Sequence, residues 1–181
     1  MRLQAWLRAQ CARAVRRADE PCRRVPEEGL DMDWQALDEL AANAIDRTKD
    51  LFQTPVLLSM EGKSPLVLVD GVLLEQVFVN LLENASKHGG NTVAAKMTIR
   101  AEATMATVQV DNDGPGIPPD QVATIFDRFQ HDAKKSGIGL GLAICKAAVE
   151  AHQGRIWAAN IQPHGVRFTV ELPLGKEPEI A

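Results

Sequence analysis

No run of about 18 apolar residues occurs in this sequence, so no segment of it spans a bilayer as a helix. If the parent protein is membrane-bound, its anchor lies elsewhere. Cysteine is scarce: Cys11, Cys22 and Cys145 are odd in number and far apart, and no C-x-x-C pair is present. That spacing argues against a zinc site or a redox dithiol and fits a reducing, cytoplasmic setting. Tyrosine is absent and aromatic residues make up only 4%, yet 45% hydrophobic and 24% charged residues is an ordinary globular balance. Neither disorder nor membrane embedding is indicated. An excess of positive charge is also missing from most of the chain. Residues 1–30 hold seven Arg against four acids, which leaves thirteen bases and twenty acids in residues 31–181. The main domain is acidic, which argues against nucleic acid as its partner.

What is present is 181 residues, enough for one domain with a full core and an appendage. Residues 1–30 read as that appendage, a remnant of a preceding region or an Arg-rich leader, because Pro21, Pro26 and Gly29 break helical continuity. The domain is expected over 31–175, with 176–181 as a tail. Trp34, Leu37, Leu40, Ala41, Ala44, Ile45, Thr48, Leu51 and Phe52 recur at helical spacing and predict a first amphipathic helix starting at an Asp33 cap. Short apolar runs at 55–60 and 65–69 predict strands. Asp70 predicts the cap of a second helix over 71–88, stopped by Gly89 and Gly90. Alternation near 94–102 and 105–111 predicts an antiparallel pair joined at Ala103 and Thr104. Residues 119–136 are polar, with one helical turn expected around 122–126. A third helix follows the glycines at 137–141 and ends near His152, and strands near 154–160 and 165–172 complete a two-layer α/β sandwich with a mostly antiparallel sheet.

Three features point to a ligand. In the second helix Leu73, Leu74, Val77, Phe78, Leu81, Leu82 and Ala85 form the core face, and Gln76, Asn80, Asn84 and Lys87 form a polar stripe beside it. Asparagine is a poor helix former, so two of them one turn apart either face water or serve a ligand. A carboxamide oxygen suits a Mg²⁺ ion that takes its other oxygens from water and phosphate. The loop Asp111-Asn112-Asp113-Gly114-Pro115-Gly116-Ile117-Pro118 has glycines where a β-carbon would block close approach to backbone, although alone it is also an ordinary turn. The run Gly137-Ile138-Gly139-Leu140-Gly141-Leu142 opens into a helix and aims unpaired N–H groups at a bound phosphate. Its G-x-G-x-G spacing is not the dinucleotide fingerprint, and Gly62-Lys63-Ser64 is not a P-loop because Pro65 prevents a helix from following.

In order, the strings EQVFVNLLENASKH, DNDGPGIP, IFDRF and GIGLGLAICKAAVEAHQG resemble the four motifs of the ATP-binding domain of sensor histidine kinases, the Bergerat or GHKL fold. The resemblance runs from about Asp33 to Pro173. It implies a mixed, mostly antiparallel sheet with three main helices on one face and a mobile lid over 119–136. It further implies ATP and Mg²⁺ as cofactors, Asn84 as the principal Mg²⁺ ligand with Asn80 in support, Lys87 toward phosphate, and His88 among the cofactor-binding residues. Gly114, Gly116 and Ile117 would line the adenine pocket, and Gly137, Gly139, Leu140 and Gly141 would wrap the phosphates. Phe126 and Phe129 read as apolar anchors of the lid. The implied partners are a histidine-bearing dimerisation domain and, indirectly, a response regulator, with no direct membrane contact.

The chain departs from that pattern at three places. The family's adenine-recognising Asp is replaced by Asn112, which keeps an acceptor but loses the charge; the weaker hydrogen bond would cost about 1–2 kcal/mol unless Asp111 or Asp113 shifts into register. The lid position of a phosphate-contacting Arg is His131, for which Arg128, Lys134 or Lys135 would substitute. None of His88, His131, His152 and His164 stands in an H-E-x-[RK]-x-P context, so the chain is not expected to autophosphorylate alone. Two rival readings remain. A gyrase-, Hsp90- or MutL-type ATPase would need a Glu where Asn80 stands, and Asn is no general base at neutral pH. A regulatory nucleotide-binding module, or pseudokinase, would bind ATP without transferring phosphate.

Overall fold

Strand pairing, not helix capping, organises the start of the domain in the computed structural model, which describes residues 30–89, 94–127 and 141–175. Asp33–Ala36, expected to begin a helix, instead forms strand β1 and pairs antiparallel with β3 (Leu66–Val69), with Trp34 opposite Leu68. Helix α1 therefore starts later and spans Leu37–Thr48. Its first N–H, that of Leu37, donates to the Pro65 carbonyl at 3.2 Å, so a tertiary partner supplies what an Asp cap would have supplied. Leu37, Leu40, Ala41, Ala44 and Thr48 are buried as their spacing requires, and a short 3₁₀ turn, Lys49–Leu51, ends the segment.

Strand β2 (Leu57–Glu61) and β3 confirm the two short apolar runs. Helix α2 runs Gly71–Gly89. Its cap is as expected: the Asp70 side chain accepts the Leu73 N–H at 3.1 Å. Leu74, Val77, Phe78, Leu81, Leu82 and Ala85 are buried, while Leu73 is half-buried and Val79 joins the core. The antiparallel pair is β4 (Ala95–Glu102) and β5 (Met105–Asn112), turning at Ala103 and Thr104 as expected. Helix α3 (Gly141–Ala151), β6 (Arg155–Asn160) and β7 (Val166–Pro173) follow.

The main sheet has the order β2-β4-β5-β7-β6, with β2 parallel to β4 and every other pair antiparallel. Alternation in β5 sets the layers. Ala106, Val108, Val110 and Asn112 point into the interior, and the core joins them to Phe78, Leu82, Met97, Ile99, Phe168, Val170 and Cys145. Each fully buried Val, Leu, Ile, Phe or Met among them contributes about 1.5–3 kcal/mol on burial. Residues 119–126, where one helical turn is expected around 122–126, form successive turns with Gln121, Thr124 and Asp127 N–H groups donating three residues back. Phe126 anchors this segment by packing edge-on to Phe168, with ring centroids 6.3 Å apart.

Candidate functional site

A cavity of about 150 Å³ opens where the C-terminal half of α2, the loop after β5 and the turns over 119–126 meet the start of β7. Asn84 and His88 line it from α2; Asn112, Pro115, Gly116, Ile117 and Pro118 from the loop; Gln121, Thr124 and Ile125 from the turns; and Val166 and Phe168 from the sheet. Small-molecule pockets commonly measure about 300–1,000 Å³, so this space is smaller than a whole drug-sized ligand needs.

The helical period puts Asn84 here. It follows Leu81 and Leu82 on the buried side of α2 closely enough to be half-buried, and its carboxamide reaches the cavity. Asn80, one turn earlier, does not line the cavity; its Oδ1 accepts from Gln76 Nε2 at 3.0 Å. Lys87 also lies outside it, exposed and paired with Glu83 at 3.2 Å.

Asn112 is 3% exposed. Its amide orientation is assigned from two backbone neighbours at 3.2 Å each: with Nδ2 toward the Val166 carbonyl and Oδ1 toward the Gly114 N–H, both ends pair. Gly114 therefore holds the loop's entry and does not itself line the cavity. The neighbouring aspartates do not take Asn112's place. Asp111, on the opposite face of β5, is held in two hydrogen bonds by Arg167, Nε to Oδ1 at 2.7 Å and an η-nitrogen to Oδ2 at 2.6 Å. This fork and the adjacent carboxylate hold the Arg167 guanidinium above its ordinary pKa. Asp113 is exposed, and its backbone carbonyl lies 3.0 Å from His164 Nδ1.

The loop is fastened by a residue that sequence reasoning missed. Asn160, at the end of β6, accepts the Ile117 N–H at 2.7 Å and donates to the Ile117 carbonyl at 2.8 Å. Gly116, at φ +86°, passes close to the same side chain, and a β-carbon there would crowd Asn160 Oδ1 at 3.1 Å. Nothing local to Asn160 marks it, since its partner lies 43 residues away. Gly141 begins α3 with open space around it and is not among the cavity residues. Arg128, Gly137, Gly139, Leu140, Phe129, His131, Lys134 and Lys135 lie outside the described residues.

Residues 69–176 match the family described as histidine kinase-, DNA gyrase B-, and HSP90-like ATPase. Among curated relatives, Sensor protein KdpD of Escherichia coli is 39% identical over 154 residues, covering 83% of this chain and 17% of that protein. Sensor protein KdpD of Clostridium acetobutylicum is 34% identical over 147 residues, covering 78% and 16%. The chain thus spans about a sixth of these relatives. Among solved structures, the catalytic domain of histidine kinase ThkA superposes with a TM-score of 0.72 at 28% identity, covering 80% of this chain and 97% of that one. ThkA in complex with the response regulator TrrA gives a TM-score of 0.70 at 25% identity, covering 95% and 48%.

Proposed function

This chain belongs to the histidine kinase-, DNA gyrase B- and HSP90-like ATPase family, and on that premise we propose that it is the ATP-binding catalytic domain of a KdpD-like two-component sensor kinase. Its activity is transfer of the γ-phosphoryl group of Mg-ATP to a histidine on a dimerisation domain, from which a response regulator is served. The observation that carries this reading is the convergence of Asn84 and the Asn112–Ile117 loop on one cavity.

The residues present fit both groups. Pro115, Ile117, Pro118, Ile125 and Phe168 offer apolar surface to a base, with Asn112 as the polar group against it. Among the described residues the Asn84 side chain makes no hydrogen bond, and its oxygen suits a cation that retains several waters. Bound Mg²⁺ supplies neutralisation of charge on the phosphates during transfer. Asn84 would hold it, with Asn80 bracing the same helix. Lys87 would turn to phosphate by leaving Glu83, an exposed helical pair worth only about 0.3–0.5 kcal/mol. His88 at the cavity wall and Arg128 would add polar contacts. Amides of Gly137, Gly139, Leu140 and Gly141 would cradle phosphate at the α3 N-terminus, where the helix dipole favours negative charge.

Transfer to a protein nucleophile is favoured over hydrolysis because Asn80 cannot activate water. Among the described residues no helix is long and apolar enough to cross a membrane; the domain would work in the cytoplasm, without direct contact with lipid or nucleic acid, beneath a parent kinase anchored in the inner membrane.

Two measurements test the reading. Calorimetry of the chain with ATP and Mg²⁺ is expected to show binding that Asn84→Ala weakens by more than about tenfold, as loss of a metal ligand should. Mixing the chain with a kinase dimerisation domain and labelled ATP is expected to yield phosphohistidine. Retention of ATP without transfer would make it a regulatory nucleotide-binding module instead.

A further inference from the structure

The orientation of Asn112 bears on which purines the site accepts. A carboxamide has two N–H donors on nitrogen and two acceptor positions on oxygen. Here Nδ2 spends one donor on the Val166 carbonyl and Oδ1 spends one acceptor position on the Gly114 N–H. The opposite orientation sets oxygen against a carbonyl and nitrogen against an N–H, and the amide direction is assigned on that ground. Each end keeps one unused hydrogen-bonding position. The residue is almost fully buried and lines the cavity, so those positions are met only by water or by a ligand.

We infer that the wall at Asn112 reads a base with a group that donates as well as accepts, and that the chain therefore takes 6-oxopurine triphosphates about as well as 6-aminopurine triphosphates. This rests on the nucleotide-binding reading above. A 6-aminopurine gives an amino hydrogen to Oδ1 and accepts at N1 from Nδ2; a 6-oxopurine accepts at its oxygen from Nδ2 and gives its N1 hydrogen to Oδ1. Neither base leaves a buried polar atom unpaired, and it is such unpaired atoms that produce strong discrimination between ligands. A carboxylate at the same place would offer acceptors alone. It would suit the amino group and oppose the oxo group. Asp111 does not restore that selectivity, because Arg167 holds its carboxylate on the far face of β5.

The test is calorimetric titration of the 181-residue chain with ATP and with inosine triphosphate, each with Mg²⁺, since the two bases differ only at the 6-position and its coupled ring nitrogen. Inosine triphosphate is expected to bind within about tenfold of ATP. ATP binding accompanied by a larger deficit for the inosine nucleotide would overturn the inference and leave the proposed function standing. Failure of both to bind would overturn the nucleotide reading itself. In Asn112→Asp the ratio of ATP to inosine triphosphate affinity is expected to rise by about tenfold or more, whatever the absolute affinities. An unchanged ratio in that variant would overturn the role given to the amide. The comparison on the native chain decides the matter even if the variant does not fold.

Discussion

His152 and Asp70 tie the end of α3 to the start of α2: the His152 Nε2 accepts the backbone N–H of Asp70 at 2.9 Å. Its Nδ1 lies 2.8 Å from the Ala148 carbonyl oxygen. Because Nε2 accepts, Nδ1 is assigned the hydrogen, and one ring spans the end of α3 and the cap of α2. The ring is 3% exposed, so neither bond is readily replaced by water.

His152→Leu keeps apolar bulk but leaves the Asp70 N–H without an acceptor. An expected loss of about 2–4 kcal/mol would appear as a lower urea midpoint with an unchanged slope. A loss under about 0.5 kcal/mol would mean that the bond contributes little.

Asn160 acts on the cavity through Ile117. Asn160→Ala removes both bonds to the Ile117 backbone and frees the loop carrying Gly116. Nucleotide affinity is expected to drop by about tenfold, with a stability cost of only about 1–2 kcal/mol. Asn160→Asp keeps the acceptor for the Ile117 N–H but sets a carboxylate against the Ile117 carbonyl, so it should rescue neither property. Calorimetry and thermal melts on the same samples separate the two effects.

Gly165 is needed for contact between hairpin and site. At φ +120°, a β-carbon there would press into the Asn112 backbone carbonyl, and Ile161 closes on the same point. Gly165→Ala is expected to cost more than about 2 kcal/mol and to weaken nucleotide binding together with stability. Gly154→Ala is a control outside the cavity lining. Its β-carbon would meet the Glu171 carbonyl, so it should lower stability while the surviving folded fraction keeps its affinity.

The Arg167–Asp111 fork gives a prediction about pH. A cation held above its ordinary pKa contributes stability that is fully present below its unfolded value and fades only as pH rises through the folded one, far into alkali. Arg167→Gln is therefore expected to cost about 0.5–1 kcal/mol, constant across roughly pH 6–9 and smaller in high salt. The pair is partly exposed, with Arg167 at 38%, which keeps the figure low. A cost that changes steeply with pH in that range would assign the stabilisation to another group.

Much of the fold is written locally. The apolar spacing of residues 71–88, the Asp70 cap, the Ala103-Thr104 turn and the alternation in β5 each depend on contacts within a few residues, and each element formed where the sequence placed it. The first helix did not start at Asp33, because pairing with Leu66–Val69 satisfies the backbone of Asp33–Ala36 from thirty residues away. No periodicity within the segment reports such a partner.

The site divides in the same manner. By itself the sequence determined which side chains have the chemistry: the carboxamides of Asn84 and Asn112, the small residues of the 112–117 loop, and the family to which their order belongs. Only the tertiary structure decided that Lys87 pairs outward with Glu83, that Asp111 is occupied by Arg167, and that Asn160 fastens Ile117. The physical reason is range. Helical period and turn chemistry are fixed by neighbours along the chain, whereas the direction of a side chain's hydrogen bonds is fixed by whatever strand or loop folding brings against it.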